Sequence, residues 1–160
     1  METLIVYFSK FGNTHKIADT IAGTIPQQAN VSTIDFEHLT QDHLVNIDLL
    51  VMGSPTHNMN LPKTVKPLLE NFPKRTLPGT PVAAFDTSYE MSWMLNQFTA
   101  SKHLARKLRK LGGKLLLPPE IFLVTGREGP LVDGELQRAE LWAGSLWAKL
   151  DNKFSDGIAE

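Results

Sequence analysis

The chain has 160 residues, 42% hydrophobic and 21% charged, and its 16 basic against 17 acidic groups leave a formal net charge of -1. That length suits one domain over residues 1–160 with a full core, and so even a charge balance argues against nucleic acid as an obligate partner. There is no cysteine, which excludes disulfides, thiolate metal sites and cysteine nucleophiles.

The first element is "TLIVYF", a short β-branched apolar run that reads as a strand. It is preceded by Glu2 rather than a basic leader, and no later segment approaches the ~20 apolar residues of a spanning helix. A cytoplasmic protein without membrane contact is expected. A polar turn, "SKFGNT", leads into an amphipathic helix from about Thr14. Ile17, Ala18, Ile21 and Ile25 share one face of it, His15, Lys16 and Asp19 lie nearer the other, and Pro26 ends it. "VSTIDF" and "IDLLVMG" read as the second and third strands, with an ill-defined crossover between Glu37 and Asn46. The segment Leu61 to Phe72 carries Pro62 near a helix start and Pro67 within, which implies a short or kinked helix.

"PVAAFDTS" is the fourth strand. From Phe98 the stripe Ser101, Leu104, Ala105, Leu108 and Leu111 marks a helix stopped by Gly112-Gly113. Its other face, in "KHLARKLRKLGGK", is strongly basic and reads either as a solvated surface or as a docking face for an acidic redox partner. "LLLPPEIFLV" is the fifth strand. A last helix from about Glu135, capped by Asp133, turns Leu136, Ala139, Ala143, Leu146, Trp147 and Leu150 inward, with Trp142 at the edge of the stripe and Leu141 outside it. Alternating short strands and helices, with crossovers long enough for parallel connections, predict an α/β three-layer sandwich around a five-stranded parallel sheet.

In such a sheet, ligands bind beyond the carboxyl ends of the strands. Those ends are "SKFGNT", "GSPTHNMN", "DTSYEMSW" and "TGREGP", where the polar and unusual residues concentrate. The first loop sets Ser9, Gly12, Asn13 and Thr14 at a helix start. This is either a helix cap with a turn glycine or an anion seat, built from free N–H groups, the positive helix end and side-chain donors. It lacks the Gly-Lys-Ser/Thr ending of a Walker loop and the GxGxxG of a dinucleotide loop. A receiver domain is excluded as well, because the third strand ends in Met52-Gly53 without a phosphoacceptor aspartate.

Taken together, "YFSKFGNTHKIA" and "VMGSPTHNMNLP" resemble the flavodoxin-like family of FMN-binding proteins over essentially the whole chain. The resemblance implies FMN as cofactor, with its phosphate held by Ser9, Lys10, Phe11, Gly12, Asn13 and Thr14. The ring would lie among Pro55, Thr56, His57, Asn58, Met59, Asp86, Thr87, Ser88, Tyr89 and Trp93. Phe11 stands where the family usually has a hydroxyl, so the backbone must carry more of the phosphate contact. His57 and Met59 stand where many electron carriers of the family place a large aromatic. Arg127 and Glu128 are candidates for the cofactor edge or for contact with a subunit neighbour, and the spacing does not decide between them. The implied function is electron transfer through the flavin to a redox partner protein or a small electrophile. An FMN-dependent NAD(P)H quinone, nitro or azo reductase is the alternative, and a binding module that has lost the flavin is a third reading. No catalytic side chain and no metal are expected, because the flavin supplies the chemistry.

Overall fold

A computed structural model of the chain describes residues 1–90, 92 and 94–157, so Trp93 lies outside the described residues. The apolar runs form β1 (Glu2–Tyr7), β2 (Asn30–Asp35), β3 (Leu49–Pro55) and β4 (Pro81–Ser88). The fifth run is broken into β5 (Lys114–Leu115) and β6 (Glu120–Leu123), both paired in parallel with β4. The sheet is parallel throughout, in the order β2-β1-β3-β4-β5, with β6 beside β4 further along. The break follows from Pro118-Pro119, which have no N–H to give to the ladder. From Val82 to Phe85, β4 advances three residues while its neighbour takes five, from Leu115 to Glu120.

Around the sheet lie α1 (Asn13–Thr24), α2 (Val65–Glu70), α3 (Ala100–Lys110) and α4 (Glu135–Gly157). Side chains alternate across each strand, so a strand buried on both faces feeds two cores. Leu4, Val6, Leu50, Met52, Val82 and Ala84 pack with Val65 and Leu69 of α2 and Leu104 and Leu108 of α3. Ile5, Leu49, Val51, Ala83 and Phe85 pack on the opposite face with Ile17 and Ile21 of α1 and Leu146 and Leu150 of α4. The three-layer α/β sandwich is thus present. Among the described residues, no helix is long and apolar enough to cross a membrane.

The structure defines several elements that the sequence left open and corrects others. The connection between β2 and β3 contains no α-helix. It makes two 3-10 turns, Phe36–His38 and Gln41–Leu44, that bury Phe36 and Leu44 as separate pegs, since the polar residues between them offer no continuous apolar stripe. The short helix α2 takes Pro67 in its first turn, where a missing N–H costs nothing. In α4 the stripe is centred on Ala139, Ala143, Leu146 and Leu150, and Trp142 packs edge-on against Phe85 and Phe122 at 6.2 Å from each. Asp133 makes no capping bond among the described residues. Instead Glu135 is buried, accepts the Leu123 N–H at 2.7 Å and pairs with Arg138 at 2.8 Å, which leaves Leu136 turned to solvent.

The cross-strand pair Gly53 and Phe85 shows how tightly β3 and β4 meet near the sheet's functional edge. The Phe85 ring lies over Gly53, and a Cβ there would enter the ring. Gly53→Ala is therefore expected to destabilise the fold by about 1–3 kcal/mol through overpacking. Urea denaturation monitored by circular dichroism checks this, and an unchanged midpoint would contradict it.

Candidate functional site

Parallel strands deliver their carboxyl ends to one edge, and β1 and β3 sit side by side although their crossovers leave in opposite directions. At that edge is a cavity of about 420 Å³. It is lined by Ser9, Lys10, Phe11, Asn13 and Thr14 after β1, and by Pro55 at the end of β3 with Thr56, His57 and Asn58 after it. Thr87 and Ser88 at the end of β4, Tyr89 after it, and Val124 and Arg127 after β6 complete it. Gly12 and Met59 of the same loops, and Asp86 within β4, do not line it.

The first loop resolves into a division of labour. Ser9 Oγ accepts the N–H groups of Gly12 at 3.1 Å and His15 at 3.3 Å, so Ser9 satisfies two of the unpaired donors at the start of α1. The N–H groups of Asn13 and Thr14 have no acceptor among the described residues, and the first turn of α1 holds no acid. Gly12 permits this geometry, with φ of 90° in the left-handed region that glycine adopts without cost. The side chains of Asn13 and Thr14 are tied elsewhere. Asn13 Nδ2 donates to the Glu128 carbonyl at 3.0 Å, and Thr14 Oγ1 lies 2.8 Å from Thr87 Oγ1 in a buried pair. Only one of those two hydroxyls can donate to the other, so the pair keeps one proton for a ligand. Gly129 leaves no room for a Cβ against the Asn13 amide, which locks the fourth loop onto the first. Glu128 thus reaches the site through its carbonyl alone.

The start of α3 is handled in the opposite way. Asp86 is fully buried, accepts the Ser101 N–H at 2.9 Å through Oδ2, and receives the Ser88 hydroxyl at 3.0 Å on Oδ1. Thr56 Oγ1 accepts the Ala100 N–H at 2.9 Å. The position expected to border a ring is therefore an internal cap, because strand parity turns Asp86 to the α3 face and Thr87 to the α1 face. Burial pushes the Asp86 carboxyl up from its ordinary value, while its hydrogen bonds to Ser101, Thr99 and Ser88 pull the other way.

After β3 the chain reverses between His57 and Asn60, whose main-chain groups exchange two hydrogen bonds of 2.9 Å. Asn58 and Met59 both have positive φ, 47° and 62°, the pattern of a primed hairpin turn. Holding Met59 there costs about 1–2 kcal/mol, and the turn sets His57 and Asn58 against the cavity. Burial lowers the His57 pKa, and the charges of Lys10 and then Arg127 lower it further. Tyr89 lines the cavity while remaining 46% exposed, and Phe11 does so at 39%. His15 is outside, stacked on Tyr7 with ring centroids 4.4 Å apart. Val124 escaped the sequence reading because it looks like any strand residue.

A family described as the flavodoxin domain matches residues 4–119. A curated flavodoxin from Clostridium beijerinckii is 44% identical over 50 residues, which is 31% of this chain and 36% of that protein, so the match spans about a third of the relative's length. Among solved structures, oxidised flavodoxin 2 from Bacillus cereus aligns over 93% of this chain and 99% of its own, with a TM-score of 0.78 and 23% identity. A flavodoxin from the domain Archaea aligns over 94% and 99%, with a TM-score of 0.75 and 23% identity. At those identities the two structures speak for the fold.

His57 offers a direct check of the cavity's electrostatics. Its pKa is expected below the ordinary 6.5, and Lys10→Gln should move it back upward. Because the folded value is the lower one, this residue's contribution to stability is complete above 6.5 and is lost as pH falls from there to the folded value. Ring-proton chemical shifts followed against pH give the answer; a value at or above 6.5 would contradict the assigned environment.

Proposed function

The chain belongs to the flavodoxin family, and from that premise we propose that residues 1–160 form one domain that carries electrons through FMN held at the cavity described above. FMN is the family's cofactor and, when bound, supplies the redox chemistry through its ring system. The observation that carries the reading is the start of α1, where the Asn13 and Thr14 N–H groups stand at the cavity without an acceptor among the described residues. Such a helix end suits a phosphate monoester, and Lys10 adds a full positive charge beside it.

The donor set fits the cofactor. On this reading Ser9 holds the loop in shape, Asn13 and Thr14 bind the phosphate through their main chain, and the Thr14–Thr87 pair gives its spare proton. Pro55, Thr56, His57 and Asn58 flank the ring on one side, and Thr87, Ser88 and Tyr89 on the other. A cavity of about 420 Å³ lies within the usual range for cofactor sites. Phe11 brings an aromatic ring to the mouth, with Lys10 Nζ 5.3 Å from its centroid, where a hydroxyl would have been a further donor. His57, neutral at pH 7, borders the ring without adding charge. No residue is assigned a proton-transfer step.

The carrier and reductase readings part on turnover. The FMN-loaded protein is expected to oxidise NAD(P)H with a quinone acceptor at no more than the rate of free FMN, and to accept electrons readily once a separate flavoprotein reductase is added. Steady-state absorbance at the nicotinamide band measures both. Sustained turnover without the reductase would overturn the carrier reading in favour of an enzyme.

A further inference from the structure

The near-zero net charge conceals a separation of charge. Ten of the sixteen lysines and arginines, but three of the seventeen acids, fall between Lys63 and Lys114. That stretch builds α2, β4 and α3, whose helices cover one face of the sheet. Asp86 is buried, so solvent meets ten cations against Glu70 and Glu90, and the acids that balance the total lie elsewhere in the chain.

Between α2 and α3 is a cleft of about 220 Å³, lined among others by Lys66, Glu70, His103, Arg106, Lys107 and Lys110. None of the four permanent cations has a carboxylate at salt-bridge distance among the described residues. Arg106 Nη2 lies 3.0 Å from His103 Nδ1. A guanidinium can only donate, so Nδ1 accepts and the His103 proton sits on Nε2. That nitrogen is buried close to the main chain of Met59 and Phe98 without a well-formed hydrogen bond. Asn60 and Leu61 also line the cleft, so the turn from His57 to Asn60 is a wall shared with the cofactor cavity. On the segment leading into α3, Met94, Leu95 and Phe98 are exposed.

We propose that this face docks an acidic redox protein, which places carboxylates against Lys66, Arg106, Lys107 and Lys110 and packs on Phe98 and Leu95 beside the cofactor cavity. The cations from Lys102 to Lys110 spread along about 12 Å of helix axis, and Lys66 extends them onto α2. A single small anion would engage two or three of them, whereas a protein surface meets them all. Exposed apolar side chains bordered by charge suit the centre and rim of a transient interface. Docking of this kind serves the electron-carrier reading, yet its detection does not depend on it.

The test is a titration of the 15N-labelled full chain, with and without FMN, by a zinc-substituted acidic rubredoxin. Amides of Lys66, His103, Arg106 and Lys110 are expected to shift at low ionic strength and to stop responding at high salt. Arg106→Glu with Lys110→Glu should weaken binding by at least about tenfold and leave FMN affinity unchanged. The milder Arg106→Gln with Lys110→Gln serves if the reversed pair does not fold. No response, or one confined to α1 and α4, overturns the docking face. So does a response of these residues to inorganic phosphate with none to rubredoxin, which would make the cleft a small-anion site. If rubredoxin binds but FMN does not, the cofactor reading alone fails.

Discussion

Two helix N-termini are brought to the same edge of the sheet, and only one of them is neutralised from within. The start of α3 gives its N–H groups to a carboxyl oxygen of Asp86 and the hydroxyl of Thr56, hydrogen bonds of roughly 0.5–3 kcal/mol each. Among the described residues, the start of α1 receives a single hydroxyl, that of Ser9, and keeps two N–H groups free, with no acid in its first turn. A helix end left in this state favours an anion by up to about 2 kcal/mol where it is partly buried. The contrast separates a helix start closed by side chains from one left open, although both follow a strand in the same sheet.

What makes the contrast possible is strand parity. Alternation along β4 sends Phe85 and Thr87 to the α1 and α4 side and Ala84 and Asp86 to the α3 side. Adjacent polar residues thereby serve opposite ends: Thr87 pairs with Thr14 in the seat, and Asp86 closes α3. The tie from Asn13 to Glu128 adds the loop after β6 to the same edge. The edge is thus held by side chains whose own polar groups are engaged, while the main-chain donors of Asn13 and Thr14 stay open among the described residues. Such a seat needs little reorganisation when it is filled.

Much of this was legible in the chain. The apolar runs gave the parallel sheet because strands buried on both faces need unbroken β-branched and aliphatic residues. The glycine, hydroxyl and amide cluster after β1 marked the start of α1 as either a helix cap or an anion seat, and the structure brings Ser9, Asn13 and Thr14 to the cavity. The role of Asp86 was missed because a carboxylate near a ligand loop looks functional until parity is applied against the α3 stripe. That Ser9 accepts the Gly12 and His15 N–H groups depends on a loop conformation that spacing alone does not fix. The split of the fifth strand was foreshadowed by Pro118-Pro119, whereas the two 3-10 turns after β2 had no periodic signal to read. The basic run on α3 was visible at once, but the cleft it shares with Lys66 and Glu70 depends on the packing of α2 beside it.

The account stands on the phosphate seat at α1, and comparing FMN with riboflavin tests it most directly. The two ligands share the ring and differ in the phosphate monoester. Fluorescence titration of each with the apoprotein should show tight quenching of FMN and a far weaker affinity for riboflavin. Equal affinities, or no quenching of FMN, would contradict the central claim.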